Sequence, residues 1–394
     1  MLNVGANMPV TDEIARRSEK ILYRKVIDEI LHDIQMGKLP LGSKLPSQSE
    51  LIRKYKVSTG TIRQSLAGLE RRGIIRKEHG RGSFVSLQSG RRDKQAEFRH
   101  LGLLLERSGE PEDRAAEAEI VLAFVNACRQ HKIRFTYVET GVTAHAGGYE
   151  LIKTFDGVAL DGMCVFLRDG TDANERLCAL AREFTSLVAL FTAYQDHSFT
   201  VDCVEQELRV GMRHMMKYLL SLGHRRIAYV SSFIDECLRG DPKRWTGGRW
   251  EVYVETLAEA GIQVDPSLLV DITFGQEPDE TMARQVIGLL RRVNPVTAIF
   301  AGNDWIARHV MEWLWREGIH VPGDVSVAGL DDVSFARQLV PSLTTVGTPF
   351  AKMAQSVVDL LQKRFLEPDR PIQRMTIPSE LIVRDSVGPV SKEH

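Results

Sequence analysis

Apolar residues recur at helical spacing through the first seventy residues of the chain. A first helix is predicted between residues 21 and 34, and Gly37 ends it. Ser47 begins a second helix, because Glu50 follows three residues later and completes a capping box. Ser58 begins a third helix, whose first turn is small and polar. The apolar positions of the third helix, which face inward, are Ile62, Leu66 and Leu69.

A short hairpin is predicted after the third helix. Residues 74–77 and 83–86 have the pattern of two strands joined by a Gly-rich turn. Three helices followed by such a hairpin, called the wing, are typical of a winged helix-turn-helix, which we place at residues 18–87. Residues 1–17 show no periodicity and are expected to be disordered, and the polar, charged residues 88–98 are expected to form a linker.

After the linker the pattern changes to short apolar runs that alternate with helical segments. These runs have the length of buried parallel strands, and their alternation with helices predicts a doubly wound α/β architecture. The runs lie at residues 101–105, 135–138, 163–166, 187–190, 227–230, 298–301 and 325–328. The predicted fold class is therefore α/β, with a winged helix-turn-helix domain before a doubly wound parallel-sheet domain.

The charge of the chain is distributed unevenly. The net charge is only −1, but residues 1–99 contain 20 Lys and Arg against 11 Asp and Glu, and acidic residues outnumber basic ones by 10 in the remainder. A basic front on an acidic body indicates that only the front meets a polyanion.

The sequence does not indicate a membrane protein, a metal protein or a known type of enzyme. No apolar run approaches the roughly 20 residues that cross a membrane, and no signal peptide is expected. Five scattered cysteines fit a cytoplasmic location and predict neither disulfides nor a zinc cluster. The common motifs of nucleophilic, phosphate-binding or metal catalysis are missing, so no enzymatic activity, cofactor, metal or membrane partner is expected.

Residues 20–87 resemble the GntR-type family of winged-helix DNA-binding domains. The residues that carry the resemblance are Gly37, Leu45-Pro46-Ser47, Leu51, Val57-Ser58, Thr61-Ile62-Arg63, Leu66, Leu69, Gly73-Ile74-Ile75 and Gly80-Arg81-Gly82-Ser83-Phe84-Val85. The chain departs from the family at Gln48, Ser49 and Thr59, where the family usually has glutamate, arginine and arginine.

The resemblance implies that DNA is contacted by the third helix, the start of the second helix and the wing. Arg63 is the best candidate for a bidentate contact with guanine or phosphate. Ser58 and Thr61 offer polar groups to phosphates, and Gly80 and Arg81 suit a minor groove. Taken singly, Ser58 is better interpreted as a cap, Arg63 as a solvated cation and Gly80 as a turn residue. The whole motif in register favours DNA binding. The full predicted DNA-binding set is Ser47, Ser58, Thr59, Thr61, Arg63, His79, Gly80 and Arg81.

Residues 99–385 are similar to the effector domain of LacI-type regulators, which itself resembles periplasmic sugar-binding proteins. The motifs that carry this similarity are residues 222–228, Ala260-Gly261-Ile262, Ala301-Gly302-Asn303-Asp304, residues 318–327, Gly329-Leu330-Asp331-Asp332 and residues 341–346. Between residues 105 and 200 the similarity is faint. A GntR-type head on a LacI-type body resembles the arrangement of arabinose-repressor-type chimeric regulators.

The similarity implies an effector-binding and dimerisation domain of two lobes. Lobe one is placed at about residues 99–202 plus 332–345, and lobe two at about 203–331 plus 346–385. The last residues, 386–394, are interpreted as a tail. A ligand of such a domain lies between the lobes, at the carboxyl ends of parallel strands.

Four residues near these strand ends are candidate effector contacts, namely Arg249, Asp304, Asp331 and Trp250. Arg249 and Asp304 align with effector-contacting residues of LacI-type proteins. Asp331 lies near the lobe crossover, and Trp250 offers a flat face to a sugar ring. The alternatives are a surface salt bridge for Arg249, a helix N-cap for Asp304 and core packing for Trp250. Glu207 takes the place of a family aspartate and is interpreted as a capping or surface carboxylate.

These resemblances imply a sequence-specific transcriptional regulator, interpreted as a repressor, that binds double-stranded operator DNA as a homodimer. A small polar effector, a sugar or a sugar derivative, would modulate its affinity for the operator. Two alternatives remain open, an effector-dependent activator and an enzyme fused to a DNA-binding head. Stabilisation by a ligand without turnover favours the sensor, and consumption of the compound favours the enzyme.

Overall fold

The computed structural model divides the chain into two units, residues 1–96 and residues 97–394. It describes residues 25–27, 29–30, 33–34, 38–40, 42–71, 74–78, 81–85, 97–107, 114–141, 160–166, 186–191, 201–232, 234–238, 248–272 and 279–390. The segment predicted to be disordered, residues 1–17, lies outside the described residues. Within the described part of the chain, no helix is long and apolar enough to cross a membrane.

The first unit contains the predicted helix-turn-helix and wing. Helical residues occur between positions 25 and 34. The remaining elements are α1 (Gln48–Tyr55), α2 (Thr59–Arg71), β1 (Ile75–Glu78) and β2 (Gly82–Val85). The two strands pair antiparallel, with Arg76 opposite Phe84 and Glu78 opposite Gly82. The winged helix-turn-helix predicted for the head is confirmed in these elements.

The core of the first unit is built from the apolar positions that the helical spacing singled out. Ile62 and Leu69 on α2 are fully buried, as is Leu51 on α1. They pack with Val26 and Ile30 from the preceding helical segment. Burial of this stripe fixes α2 against the other helices and turns its opposite face outward.

The second unit contains two six-stranded sheets, and the first of them forms lobe one. Its strands are β3 (His100–Arg107), β4 (Arg134–Gly141), β5 (Gly162–Phe166), β6 (Leu187–Phe191), β7 (Asp202–Glu207) and β13 (Arg374–Pro378). They lie in the order β13-β7-β6-β5-β3-β4, and all neighbouring strands are parallel. Helices α3 (Arg114–Gln130) and α9 (Phe350–Leu366) pack against each other and against this sheet.

The second sheet forms lobe two. Its strands are β8 (Ile227–Ser231), β9 (Leu269–Asp271), β10 (Ala298–Ala301), β11 (Ser326–Asp331), β12 (Thr344–Gly347) and β14 (Glu380–Ile382). They lie in the order β14-β12-β11-β10-β8-β9, and in this sheet only β14 is antiparallel to its neighbour. The helices are α4 (Leu208–Ser221), α5 (Ile234–Leu238), α6 (Arg249–Glu259), α7 (Glu280–Leu290) and α8 (Asp304–Arg316). The predicted doubly wound α/β class is confirmed.

The predicted division into lobes is wrong in its second half. Residues 332–345, predicted to lie in lobe one, include the start of β12, which pairs with β11 in lobe two. Residues 346–385, predicted to lie in lobe two, include α9 and β13, which belong to lobe one. The chain passes from β13 in lobe one to β14 in lobe two through a single residue, Ser379. The sequence therefore has no turn or linker that would mark this crossing.

The outer boundaries of the effector domain also need correction. Phe98, predicted as linker, is only 8% exposed, and its ring meets Phe365 edge-on at 5.4 Å. Asp161 accepts hydrogen bonds from the backbone N–H groups of Arg99 and His100 at 2.8 and 2.9 Å. The polar linker therefore ends before Phe98, and lobe one begins at this buried aromatic residue.

The predicted tail, residues 386–394, begins inside lobe two. Ser386 is fully buried; its hydroxyl donates to the Val327 carbonyl at 2.6 Å and accepts from the Thr344 N–H at 2.8 Å. Val390 donates its N–H to the Leu222 carbonyl. The domain thus extends to residue 390 at least, and residues 391–394 lie outside the described part of the chain.

Among the described residues, three crossings join the lobes, and their side chains hydrogen-bond to one another. The crossings follow β7, β12 and β13. Gln206, which is buried, donates from its side-chain amide to the hydroxyls of Thr348 and Ser379 at 2.9 and 2.8 Å. A separate contact links the lobes where the backbone N–H of Ser334 donates to the Glu119 carboxylate at 2.8 Å. Bonded crossings of this kind define where the lobes can pivot.

Candidate nucleic-acid interface and effector cleft

The outward face of α2 is polar and carries an exposed cation. Thr59, Gly60, Arg63 and Gln64 are exposed, whereas the intervening Ile62 is fully buried. An exposed polar face of this kind is typical of a recognition helix, and its small first turn permits close approach to base edges. Arg63, the best predicted DNA contact, is placed on this surface.

The hydroxyls at the start of α2 are used within the head. The Ser58 hydroxyl accepts from the Thr61 N–H at 3.1 Å and lies 2.8 Å from the Thr61 hydroxyl. Thr61 is only 3% exposed, so its side chain is not presented at the surface, whereas Ser58 is exposed. The capping interpretation of Ser58 describes its contacts, and a phosphate contact remains a prediction.

Ser47 caps α1 in the predicted capping box. Its backbone N–H donates to the Glu50 carboxylate at 2.7 Å, and its hydroxyl accepts from the Glu50 N–H at 3.3 Å. The hydrogen bonds from Ser47 lower the pKa of Glu50. Both residues are exposed, so the cap leaves this helix start accessible to a phosphate.

The wing presents Arg81 to solvent beside an acidic residue. The Arg81 side chain is 75% exposed, and its Nη1 lies 2.8 Å from a Glu78 carboxylate oxygen. The other predicted wing contacts, His79 and Gly80, lie outside the described residues. The wing thus offers the predicted cation in an ion pair with a carboxylate of the same hairpin.

Two exposed polar residues of the head were not in the predicted set. Gln64 lies beside Arg63 on α2, and glutamine is a side chain that reads adenine bidentately. Helical spacing from Gly60 would have indicated it. Lys44 pairs with Phe84 through a single β-bridge and runs past Gly82, where an added Cβ would lie 2.8 Å from its Cε. No local pattern links Lys44 to a wing nearly forty residues later.

Asp304 is the most buried of the predicted effector residues. It is the first residue of α8, and its side chain is inaccessible to solvent. One carboxylate oxygen accepts from the Thr345 hydroxyl at 2.6 Å, and the other accepts from the Val333 N–H at 3.0 Å. Burial raises the pKa of Asp304 well above its usual range, and the charge of nearby Asp331 adds to this effect.

The residue that caps α8 is Asn303 and not Asp304, so the N-cap interpretation of Asp304 is wrong. Asn303 is the N-cap of α8, and its side-chain oxygen accepts from the Ile306 N–H at 2.8 Å. Asp304 instead ties the start of α8 to β12 and to the segment that follows β11. Because the Asp304 side chain is inaccessible to solvent, a ligand reaches it only if neighbouring residues move.

Backbone strain marks the carboxyl end of β11. Asp331 has a φ of 114° and Asp332 a φ of 55°, values that residues with side chains rarely adopt. The Asp331 carbonyl accepts from the Thr348 N–H at 3.0 Å, so the strained turn abuts a lobe crossing. Strained residues concentrate at functional sites, which agrees with the predicted role of Asp331.

Arg249 and Trp250 lie at the start of α6, close to the end of β8. Trp250 packs against Tyr229 and Tyr253, with ring centroids 6.2 and 5.9 Å apart, at the border of the lobe-two core. The core-packing interpretation therefore describes part of this half-buried ring. Burial raises the pKa of Tyr229, and the positive charge of nearby Arg249 opposes that rise. Arg249 begins α6, which follows β8 in the chain and leads to the parallel strand β9, so it lies on the side of lobe two where β8 ends.

Glu207 is confirmed as a capping carboxylate. It is the N-cap of α4, and its side chain accepts from the Arg209 N–H at 3.2 Å. Lobe two thus brings Asp304 and Asp331 close together, while Arg249 lies at another strand end of the same edge. On lobe one, the segments that follow β5 and β6 lie outside the described residues.

Two families match the two parts of the chain. Residues 22–85 match bacterial regulatory proteins of the gntR family, and residues 216–387 match the periplasmic binding protein-like domain. The HTH-type transcriptional regulator DegA of Bacillus subtilis (strain 168) is 29% identical over 228 residues, covering 58% of this chain and 64% of that protein. The chain therefore spans less than two thirds of the length of this relative.

Other similar proteins cover more of the chain. The arabinose metabolism transcriptional repressor of Geobacillus stearothermophilus is 23% identical over 92% of this chain and 97% of its own length. A LacI family transcriptional regulator from Enterococcus faecium, solved with bound ribose, aligns with a TM-score of 0.57 and 21% identity. That alignment covers 74% of this chain and 100% of the solved chain, so the two share a fold.

Proposed function

Because the chain joins a GntR-family DNA-binding domain to a LacI-type, periplasmic binding protein-like domain, we propose that it is a transcriptional repressor controlled by a small molecule. The observation that carries this proposal is the exposed polar face of α2, with Arg63 at its centre, in a head with a net charge of +9 over residues 1–99. A phosphate backbone attracts such a head, and the helix face reads base edges.

The proposed effector is a sugar or a sugar derivative that lies between the lobes. The Enterococcus faecium regulator of the same fold holds ribose, and the arabinose repressor of Geobacillus stearothermophilus bears a sugar in its name. Arg249 and Asp331 are proposed to contact the effector hydroxyls directly, and Trp250 to flank its ring. Asp304, which is inaccessible to solvent, would join them only if neighbouring residues move to admit the ligand.

The signal is proposed to pass through lobe one to the linker. An effector that binds both lobes stabilises one lobe arrangement over another, and pivoting occurs at the crossings around Gln206. The linker ends where Phe98 is buried and where Asp161 holds the first amides of β3. A rotation of lobe one therefore displaces the attachment point of the head.

The repressor is further proposed to act as a homodimer. One recognition helix contacts only a short half-site, and two heads in symmetric register supply the remaining contacts. Lobe motion would then change the spacing of the two heads. Sedimentation equilibrium of the purified chain checks this step, with a dimer as the expected species.

The proposal is tested by binding experiments on the full-length protein. A mobility-shift assay with its own upstream region should give a discrete complex, and thermal unfolding in the presence of sugars and sugar phosphates should show a stabilising compound. That compound should weaken the complex and remain chemically unchanged. Consumption of the compound would favour the enzyme alternative, and a complex that forms only with the compound present would favour an effector-dependent activator.

A further inference from the structure

Two arginines of the wing, Arg76 and Arg81, share one carboxylate. Glu78, at the end of β1, places one oxygen 3.0 Å from Nε of Arg76 and the other 2.8 Å from Nη1 of Arg81. Both guanidinium groups also lie over the Phe84 ring, 5.8 and 5.9 Å from its centroid. The Glu78 side chain is only 25% exposed, whereas those of Arg76 and Arg81 are 50% and 75% exposed. The carboxylate is therefore fixed beneath two arginines that face solvent.

The hairpin itself holds this arrangement. The Arg81 N–H donates to the Glu78 carbonyl at 3.0 Å, which sets the two residues three positions apart across the turn. Arg76 lies directly opposite Phe84 in the β1–β2 register, so its guanidinium reaches the same ring as Arg81. The backbone pairing of the hairpin thus places Glu78 next to both arginines.

We propose that Glu78 is an internal competitor of DNA phosphate for Arg76 and Arg81, and that it sets the affinity of the wing for any duplex. The inference rests on the proposed DNA-binding function and adds to it a residue that limits binding. Before either arginine can neutralise a phosphate, it must leave or share the Glu78 carboxylate. Base contacts made by α2 are separate from this exchange, so the competitor lowers the sequence-independent part of binding.

The size of the effect follows from the exposure of the pairs. An exposed ion pair changes an equilibrium by at most about fivefold, so removing the carboxylate charge should raise affinity by about three- to fivefold. Freeing a cation for phosphate should also steepen the dependence of log affinity on log salt by up to about 0.9. The gain is therefore largest at low salt and fades as salt rises.

The test measures binding of the full-length protein to a random-sequence duplex by fluorescence anisotropy over a series of salt concentrations. Glu78→Gln keeps the size of the side chain and removes its charge. Glu29→Gln is the matched control, because Glu29 is an exposed carboxylate in the helical segment before α1, outside both α2 and the wing. We expect Glu78→Gln to bind more tightly with a steeper salt dependence, and Glu29→Gln to remain close to the unchanged protein. Equal gains in both variants would overturn the proposal.

A second comparison separates competition from plain repulsion between Glu78 and phosphate. In a protein that carries Arg76→Ala and Arg81→Ala, the change Glu78→Gln should no longer raise the affinity, because neither of the arginines that Glu78 holds remains to be released. A gain that persists without the two arginines would overturn the proposal in favour of repulsion. Thermal unfolding of each variant shows whether the head is intact.

The outcomes also distinguish this inference from the proposed function. If the unchanged protein binds the duplex and Glu78→Gln binds no better, the competitor role is wrong and the DNA-binding function stands. If neither the unchanged protein nor any of the variants binds a duplex at low salt, both the competitor role of Glu78 and the proposed DNA-binding function are wrong.

Discussion

The two candidate sites of this chain are built in opposite ways. In the head, Arg63, Gln64 and Arg81 stand on exposed surfaces, and the core lies behind them. In lobe two, Asp304 is fully buried, and both its carboxylate oxygens already accept protein hydrogen bonds. A duplex is larger than the domain that binds it and requires a convex exposed face, whereas a small effector must be enclosed. The buried Asp304 therefore also holds lobe two together, whereas Arg63 and Gln64 lie outside the core of the head.

The largest expected effect is a loss of stability at the buried site. Asp304→Ala leaves the Thr345 hydroxyl and the Val333 N–H without their acceptor in a buried place, which should destabilise the second unit by about 2–4 kcal/mol. Denaturant unfolding should show the loss in the second unit only. An unchanged midpoint together with weaker effector binding would break the comparison between the sites.

Asp304→Asn is the matched control and adds a dependence on pH. The amide can accept from Val333 and donate to the Thr345 hydroxyl, so it should cost less stability than Ala. Because the pKa of Asp304 in the fold lies above its usual value near 3.8, the folded state keeps the proton longer than the unfolded state. The contribution of this carboxyl to stability is present below about pH 3.8 and is lost as pH rises toward the raised pKa. Asp304→Asn should therefore gain on the unchanged protein as pH rises, and a constant difference would contradict this.

On the exposed face, the same kind of truncation should affect binding and leave folding alone. Arg63→Ala should lower affinity for the operator by about tenfold or more, as the loss of a bidentate contact worth about 1–3 kcal/mol predicts. The unfolding free energy of the head should change by less than about 0.5 kcal/mol, because Arg63 is exposed. Fluorescence anisotropy gives the affinity for the operator, and chemical denaturation of the same preparation gives the unfolding free energy of the head. A comparable loss in stability would show that the head also builds its site from structural residues.

A smaller effect is expected at the contact between the lobes. Glu119→Gln keeps an acceptor for the Ser334 N–H but removes its charge, which should weaken the contact by about 1 kcal/mol. Amide hydrogen exchange at Ser334 should accelerate about fivefold, whereas exchange at Thr348, which is bonded to the Asp331 carbonyl, should not change. Unchanged exchange at Ser334 would show that the contact does not hold the lobes.

The smallest effect separates the two interpretations of Ser47. Ser47→Ala should lower the stability of the head by about 1 kcal/mol or less, the usual cost of a lost N-cap. Ser47→Asp keeps a capping side chain and adds a negative charge. If Ser47 lies against a phosphate, Ser47→Asp should bind DNA more weakly than Ser47→Ala; equal binding would leave Ser47 as a cap only.

The same contrast explains how far the sequence could predict each site. The head was predictable because its signals are contiguous: a capping box at Ser47, an apolar stripe on α2 and a Gly-rich turn between two strands. Asp304 was identified as a candidate, but its partners were not, because Val333 and Thr345 reach it only when parallel strands align. The lobe boundaries were misplaced for a related reason, since a chain that changes lobes across Ser379 alone leaves no local signal.

The most direct test of the central claim is selection of binding sites from random duplex DNA by the full-length protein and by Arg63→Ala. The account predicts that the unchanged protein enriches a sequence with two symmetric half-sites, spaced by about one helical turn or a multiple of it, and that Arg63→Ala loses discrimination at one position in each half. If no sequence is enriched at low salt, or if both proteins enrich the same consensus with the same strength, α2 does not read DNA and the account is contradicted.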